Sequence, residues 1–211
     1  SPFFKKGFQM GLEKTSELEA VNIMLSNIGE APVNSLTSNV NADVTMAQNI
    51  LKEVSREVQS AGWHFNTDLE VPLAPDGTTS EITLTNNTAR VDLEGVNKKY
   101  NLDITIRGQK LYDRKNRTYT FTETLKATVV YLFDFTDLPE TARRYISIRA
   151  ARIYQDRLLG SEKHHMFTAR DEQQAFMALR EFEMDTADYS IFDNYDVARV
   201  IDRGDVVRRM N

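Results

Sequence analysis

The chain of 211 residues is 41% hydrophobic and 9% aromatic, enough for one large domain or two small ones with a real core. It has no Cys, which excludes disulfides and thiolate metal sites, and it shows neither an apolar run of membrane-spanning length nor a signal peptide. A net charge of −5 argues against a protein that mainly grips a phosphate backbone; it suits an ordinary cytosolic surface, or one that nucleic acid slides past.

Residues 1–10, SPFFKKGFQM, carry three Phe and two Lys ahead of the first helix signal, and 1–14 read as an N-terminal arm. Ser16 and Glu19 form a capping box, and Leu18, Val21, Met24, Leu25 and Ile28 make the stripe of a first helix. Gly29 and Pro32 end it. A second helix follows, capped by Asn41 or Asp43. Val44, Ala47, Ile50, Leu51, Val54, Val58 and Ala61 form its inner stripe, with Gln48, Lys52, Glu53, Arg56, Glu57 and Gln59 turned to water. Gly62 closes it in the left-handed conformation. The sole Trp, Trp63, follows with His64 and Phe65; Gly62, Trp63 and Phe65 read as a packed joint, with Trp63 largely buried where the helix meets a β region.

From Leu69 to Phe135 the hydrophobic period changes to two. Leu69, Val71 and Leu73 alternate, with Pro72 marking an edge strand. Ile82 with Leu84, Val91 with Leu93, and Leu102, Ile104 and Ile106 alternate in turn. Lys110–Asp113 and 118–122 flank Arg114, Lys115, Asn116 and Arg117, a basic hairpin tip. Ala127 to Phe135 reads as the longest strand, apolar on both faces and so buried between layers.

Asp137 is placed to cap a third helix, with Pro139 in its first turn. Ala142, Tyr145, Ile146, Ala150 and Ile153 form its stripe beside Arg143, Arg144, Arg149, Arg152 and Arg157. A fourth helix runs from about Ser161 to Asp185, with Phe167, Ala175, Phe176, Leu179 and Phe182 as its apolar set. The expected fold is therefore α+β: a four-helix bundle (15–66 and 137–188) interrupted by an inserted antiparallel β module (67–136). The two ends of the insertion, near Thr67 and Asp137, should lie close together. An extended C-terminal arm, 189–211, is too apolar for a solvated tail and too short for its own core. Tyr189, Ile191, Phe192, Tyr195, Val197, Val200 and Ile201 are its candidate interface residues, packing on the parent bundle or on another subunit.

Catalytic signatures are missing. There is no phosphate-cradling Gly-rich loop and no nucleophile elbow. Of the three His, His164 and His165 are adjacent and cannot easily share a metal, while His64 sits in the joint. No cofactor, metal ligand or catalytic residue is assigned. Among the 31 acidic residues, Glu181, Glu183 and Asp185 lie together late in helix four, and Asp193 and Asp196 follow in the arm. A glycosidase-like carboxylate pair fits them, and a solvated acidic face fits them equally well. The arginines of helix three fit phosphate binding, or pairing across helices or subunits.

Leu18–Leu36 (LEAVNIMLSNIGEAPVNSL), Asn41–Leu51 (NADVTMAQNIL) and Gly62–Asn66 (GWHFN) resemble the tail tubular protein A family of T7-like podophages. Asp137–Ser161 resembles that family's third helix, with its aspartate-x-proline start and Arg/Tyr-rich face. The resemblance spans roughly 15–190 and brings no catalytic motif. It implies a head-to-tail adaptor, a ring of typically twelve copies between the portal protein and a six-fold tail nozzle protein. Genomic DNA would pass through its channel without specific binding, and no membrane is involved. The protein would act in the virion after assembly in the host cytoplasm. Two other classes compete: a carboxylate-dependent polysaccharide hydrolase associated with the tail, and a nucleic-acid-binding module using the helix-three arginines and the 114–117 tip.

Overall fold

The computed structural model describes residues 13–37, 41–93, 102–159 and 162–191. Helix α1 (Glu17–Asn27) starts at the predicted capping box. The Ser16 Oγ accepts from the Glu19 amide at 3.2 Å and the Glu19 carboxylate accepts from the Ser16 amide at 2.7 Å. Helix α2 (Ala42–Ser60) is capped by Asn41, whose Oδ1 accepts from the Val44 amide at 2.8 Å. Gly62 then turns the chain at φ +79. The positive φ favours glycine; a Cβ there would also displace the Arg90 Nη2 at 2.8 Å and press on the Val130 Cγ2 at 3.2 Å.

A 3₁₀ turn, His64–Asn66, leads into β1 (Thr67–Leu73). Strands β2 (Thr88–Asp92), β3 (Ile104–Arg107), β4 (Lys110–Asp113) and β5 (Leu125–Tyr131) follow. β1, β5 and β2 make an antiparallel sheet with β5 at its centre, and β3 and β4 pair as a separate hairpin. β5 is the strand expected to be buried between layers: Ala127, Val129 and Val130 are all but inaccessible. Its pairing with β2 and β1 leaves a second core beneath it, built from Ile82, Leu84, Leu111, Phe121 and Leu125. Ile82 and Leu84 reach that core without forming a strand. They dock on β4 and the turn before it through Leu111 N to Ile82 O and Leu84 N to Gln109 O, at 3.0 and 2.7 Å.

The longest strand ends earlier than its sequence suggests. Tyr131 closes β5, Phe133 is exposed, and Phe135 opens a second 3₁₀ turn (Phe135–Asp137) and belongs to the helical core. Gln59 is the cause. Predicted to face water, it is 1% exposed and clamps both backbone groups of Phe133. Its Oε1 accepts from Phe133 N at 2.7 Å and its Nε2 donates to Phe133 O at 3.1 Å. An amide side chain thus stands where a neighbouring strand would. Asn66 does likewise, donating from Nδ2 to Tyr131 O at 2.7 Å. Thr67, where β1 begins, pairs with Val130 near the end of β5.

Helix α3 (Glu140–Leu159) begins after the 3₁₀ turn, so Asp137 lies before it and does not cap it. Helix α4 (Glu162–Ile191) runs past Asp185, because no Gly or Pro interrupts 161–191. Tyr189 and Ile191 therefore belong to a helix, in contrast to the extended arm expected from residue 189. Phe192, Tyr195, Val197, Val200 and Ile201 lie outside the described residues. The α+β class is as the pattern predicts, but the helices share the core unequally. α1, α2 and α3 pack on one another around Met24, Leu25, Ile50, Leu51, Ile146 and Tyr154. α4 lies along α3; among its described side chains it gives that core Ala175 and Leu179, both buried, with Phe176 packed partly buried against it.

Candidate interaction surfaces

The joint after α2 is built on hydrogen bonds rather than on burial alone. The Trp63 indole donates to Val58 O at 2.7 Å, and Asn66 Oδ1 accepts from the Trp63 amide at 2.8 Å. Trp63 meets Phe176 of α4 edge-on, centroids 6.2 Å apart, and Phe176 stacks at a tilt on Tyr145. Trp63 is consequently only half-buried and leans on α4, not on the β region as its sequence position suggested. Phe65 is partly buried in the same cluster. The His64 amide donates to the Glu183 carboxylate at 2.5 Å, which ties one of the late acidic residues of α4 to the joint.

Arg114, Lys115, Asn116 and Arg117 are all exposed at the end of β4, as predicted for a tip. What fixes them escaped sequence reading. Asp113 is 1% exposed and accepts from Lys115 N at 2.9 Å, Asn116 Nδ2 at 2.5 Å and Asp103 N at 3.4 Å. Burial pushes its carboxyl pKa up, but the hydrogen bonds from Asn116, Asp103 and Lys115 outweigh that and hold it below the ordinary range. On the flank of the hairpin, Arg107 stacks over Tyr112 at 3.7 Å, and Tyr112 faces Tyr119 at 4.8 Å.

Four of the five α3 arginines point inward or across helices. Arg143 is 5% exposed and donates to the carbonyls of Leu138 and Thr15, each at 2.9 Å, and of Thr136. Arg149 bridges Glu57 of α2 at 2.7 Å and Glu172 of α4 at 2.6 Å. Arg152 joins Glu172 and Asp156, and Arg157 holds Glu53 with two bonds of 2.9 and 3.1 Å. These charges are paired between helices, the alternative to phosphate binding left open by the sequence. Arg144 is the exception; it is exposed and makes no salt bridge among the described residues.

Burial alone would raise the Glu172 pKa, yet its bonds to Arg152 and Arg149 hold it below the ordinary carboxylate value. A folded-state pKa depressed in this way adds stability above the unfolded value, and that stability is lost as pH falls through the folded one. Wild-type urea midpoints should therefore fall on going below about pH 4. Glu172→Gln should start about 1–2 kcal/mol less stable at neutral pH and show a flatter acid limb. Parallel limbs would remove Glu172 from the acid sensitivity.

Two further surfaces stand out. A cleft of about 600 Å³ opens where α2 faces the ends of the sheet, with Lys52, Arg56, Glu17, Asp134 and the exposed Phe133 on its walls. The outer face of α4 exposes Met177 by 62% and Met184 by 57%, with Arg180, Glu181 and Asp185 beside them.

The described residues thus form a helical core and an antiparallel sheet, with four of the five α3 arginines held by acidic or carbonyl partners. Residues 18–189 match the model of the family described as tail tubular protein. Tail tubular protein A of Klebsiella phage KP34 is 29% identical over 167 residues, covering 78% of this chain and 86% of that protein. The chain belongs to the tail tubular protein family. It is a structural protein of a bacteriophage tail, located in the virion tail and assembling there with other tail components. None of the described helices is long and apolar enough to cross a membrane.

Proposed function

We propose that the protein is a head-to-tail adaptor, a ring of twelve copies between the portal protein and the tail nozzle protein, enclosing the channel through which DNA leaves. The family match over residues 18–189 carries this reading. The internal pairing of the α3 arginines and the net acidity support a channel wall that does not hold DNA. In this reading residues 15–66 and 137–188 form the ring body around the Gly62, Trp63 and Phe65 joint, and 67–136 projects from it. The Asp113-fixed tip, Arg114 to Arg117, is the nozzle contact. The last helical turn with Tyr189 and Ile191, and the segment carrying Phe192, Tyr195, Val197, Val200 and Ile201, locks onto a neighbour or the portal. The function is structural, without turnover.

The test is size exclusion with light scattering, on the protein alone and mixed with a portal ring. Full-length protein should join the portal as a ring. Deletion of 192–211 should leave helical circular dichroism and the cooperative melt nearly unchanged while abolishing docking. A truncated protein that docks with full affinity removes the arm from the mechanism, and one that unfolds places the arm in the protomer's own core.

A further inference from the structure

We infer that the segment 1–12 runs back along α1 and seats its phenylalanines in a groove between α1 and α4 of the same copy. The inference concerns the single copy and does not depend on the adaptor reading. α1 and α4 both pack on α3 but not closely on each other, so a groove of about 430 Å³ remains between them. Ile148 and Ala151 of α3 and Ala175 of α4 line it, with Ile23 on the α1 wall and Ala178 on the α4 wall. Ile23 is 42% exposed, a large apolar side chain left to water at the mouth of this groove. The two charges present, Arg144 and Asp171, are of opposite sign, so the groove favours apolar side chains rather than a net charge. Asn27 and Gln174 complete its rim.

The course of the chain ahead of α1 points to the occupant. Glu13 and Thr15 line a second hollow, of about 460 Å³, together with Glu19, Asn22, Ile23 and Ser26 of α1. Asn22 and Ser26 stand about 9–15 Å along the helix from the Ser16 cap, so the chain before the cap lies beside α1. Thr15 is held in that course by Glu140 and Arg143. Ile23 lines both hollows, which therefore adjoin at that side chain. Ahead of Glu13 the sequence carries Phe3, Phe4, Phe8, Met10 and Leu12. From Glu13 to Phe8 an extended chain spans at most about 17 Å, against about 16 Å for the length of α1. Phe8 thus reaches the groove past Ile23, and Phe3 and Phe4 reach the α4 wall. Lys5 and Lys6 stay at the rim, where Asp171 attracts them and Arg144 repels them, so charge adds little. The gain is apolar burial, and a short tether favours this seat over the same groove on another copy. Seated there, the segment ties α4 to α1 and adds to the hold of Ala175, Phe176 and Leu179.

The chain has no Cys, so a nitroxide spin label can be placed at one chosen site. Gln174→Cys and Asn27→Cys, both exposed on the rim, carry it in two separate full-length proteins. The expected result is loss of the amide NMR signals of residues 3–10 from either position, and their return when Phe4→Ser and Phe8→Ser are added. A spin-labelled copy mixed with an isotope-enriched copy that bears no label should leave those signals intact. Signals undiminished by both labels within one copy would overturn the inference. Loss in the mixed sample as strong as within a copy would give the groove to the segment of a second copy, and overturn it too. Loss that survives both serine substitutions would show that the phenylalanines do not seat the segment, which also overturns it.

Discussion

Gln59→Leu is expected to destabilise the protein by about 2–5 kcal/mol, although leucine is close to glutamine in size and belongs in a helix. The side chain is buried, and both its amide atoms are used by Phe133, with a further bond from Nε2 to Ser55 Oγ at 3.0 Å. Leucine would leave an N–H and a C=O of Phe133 without partners, each worth about 1–3 kcal/mol when stranded away from water. Gln59→Glu separates this account from simple packing. A carboxylate can accept from Phe133 N but repels Phe133 O, whereas a protonated carboxyl can both accept and donate. Gln59→Glu should therefore be unstable at neutral pH and recover part of the loss as the medium is acidified toward pH 5. Urea midpoints of the three proteins across that range decide it. Equal loss in both variants with no pH recovery would mean that Gln59 acts through shape alone.

Gln59 also marks the boundary of what the sequence discloses. The helical stripe, the capping box at Ser16 and the left-handed Gly62 are local matters, set by periods and caps within a few residues, and they are legible. The partner of Gln59 lies 74 residues on, so the helical period places it on the wet face although a strand end covers it. The same distance hides the end of β5: residues 127–135 are apolar apart from Thr128 and Asp134, and the contacts of Gln59 and Asn66 mark where the ladder stops. Asp113 carries no signal that a buried carboxylate rather than a turn sequence sets the basic tip, though the tip's charge and exposure are evident. For α4 the opposite error arises. Aromatic and β-branched residues after Asp188 suggested irregular chain, yet 186–191 carries no helix breaker and continues the helix to Ile191. The arginines of α3 were visible as a group, but their partners sit on two other helices, so pairing and phosphate binding could not be separated beforehand.

Arg143→Leu is expected to cost about 2–4 kcal/mol, and its consequences should be local before they are global. The guanidinium is buried and its bonds go to carbonyls: Leu138 and Thr136 in the segment leading to α3, and Thr15 in the segment leading to α1. Thr15 is held from a second direction, since its amide and hydroxyl both donate to the Glu140 carboxylate, at 2.8 and 2.5 Å. One planar cation and one carboxylate therefore pin the starts of two helices that are more than a hundred residues apart in sequence. Hydrogen bonds from a charged donor contribute about 1.5–3 kcal/mol each, offset by the cost of having buried the charge. Leucine removes that desolvation cost but leaves three carbonyls without their donor. Lysine keeps the charge on a narrower head, with donors that cannot spread over three acceptors in a plane, so Arg143→Lys should fall between wild type and Arg143→Leu. Amide exchange gives the discriminating readout. In Arg143→Leu the first turn of α1 and the amides around Thr136 should lose protection together, ahead of the β5 amides. Protection lost uniformly across the chain would mean that Arg143 holds the whole core rather than this clamp.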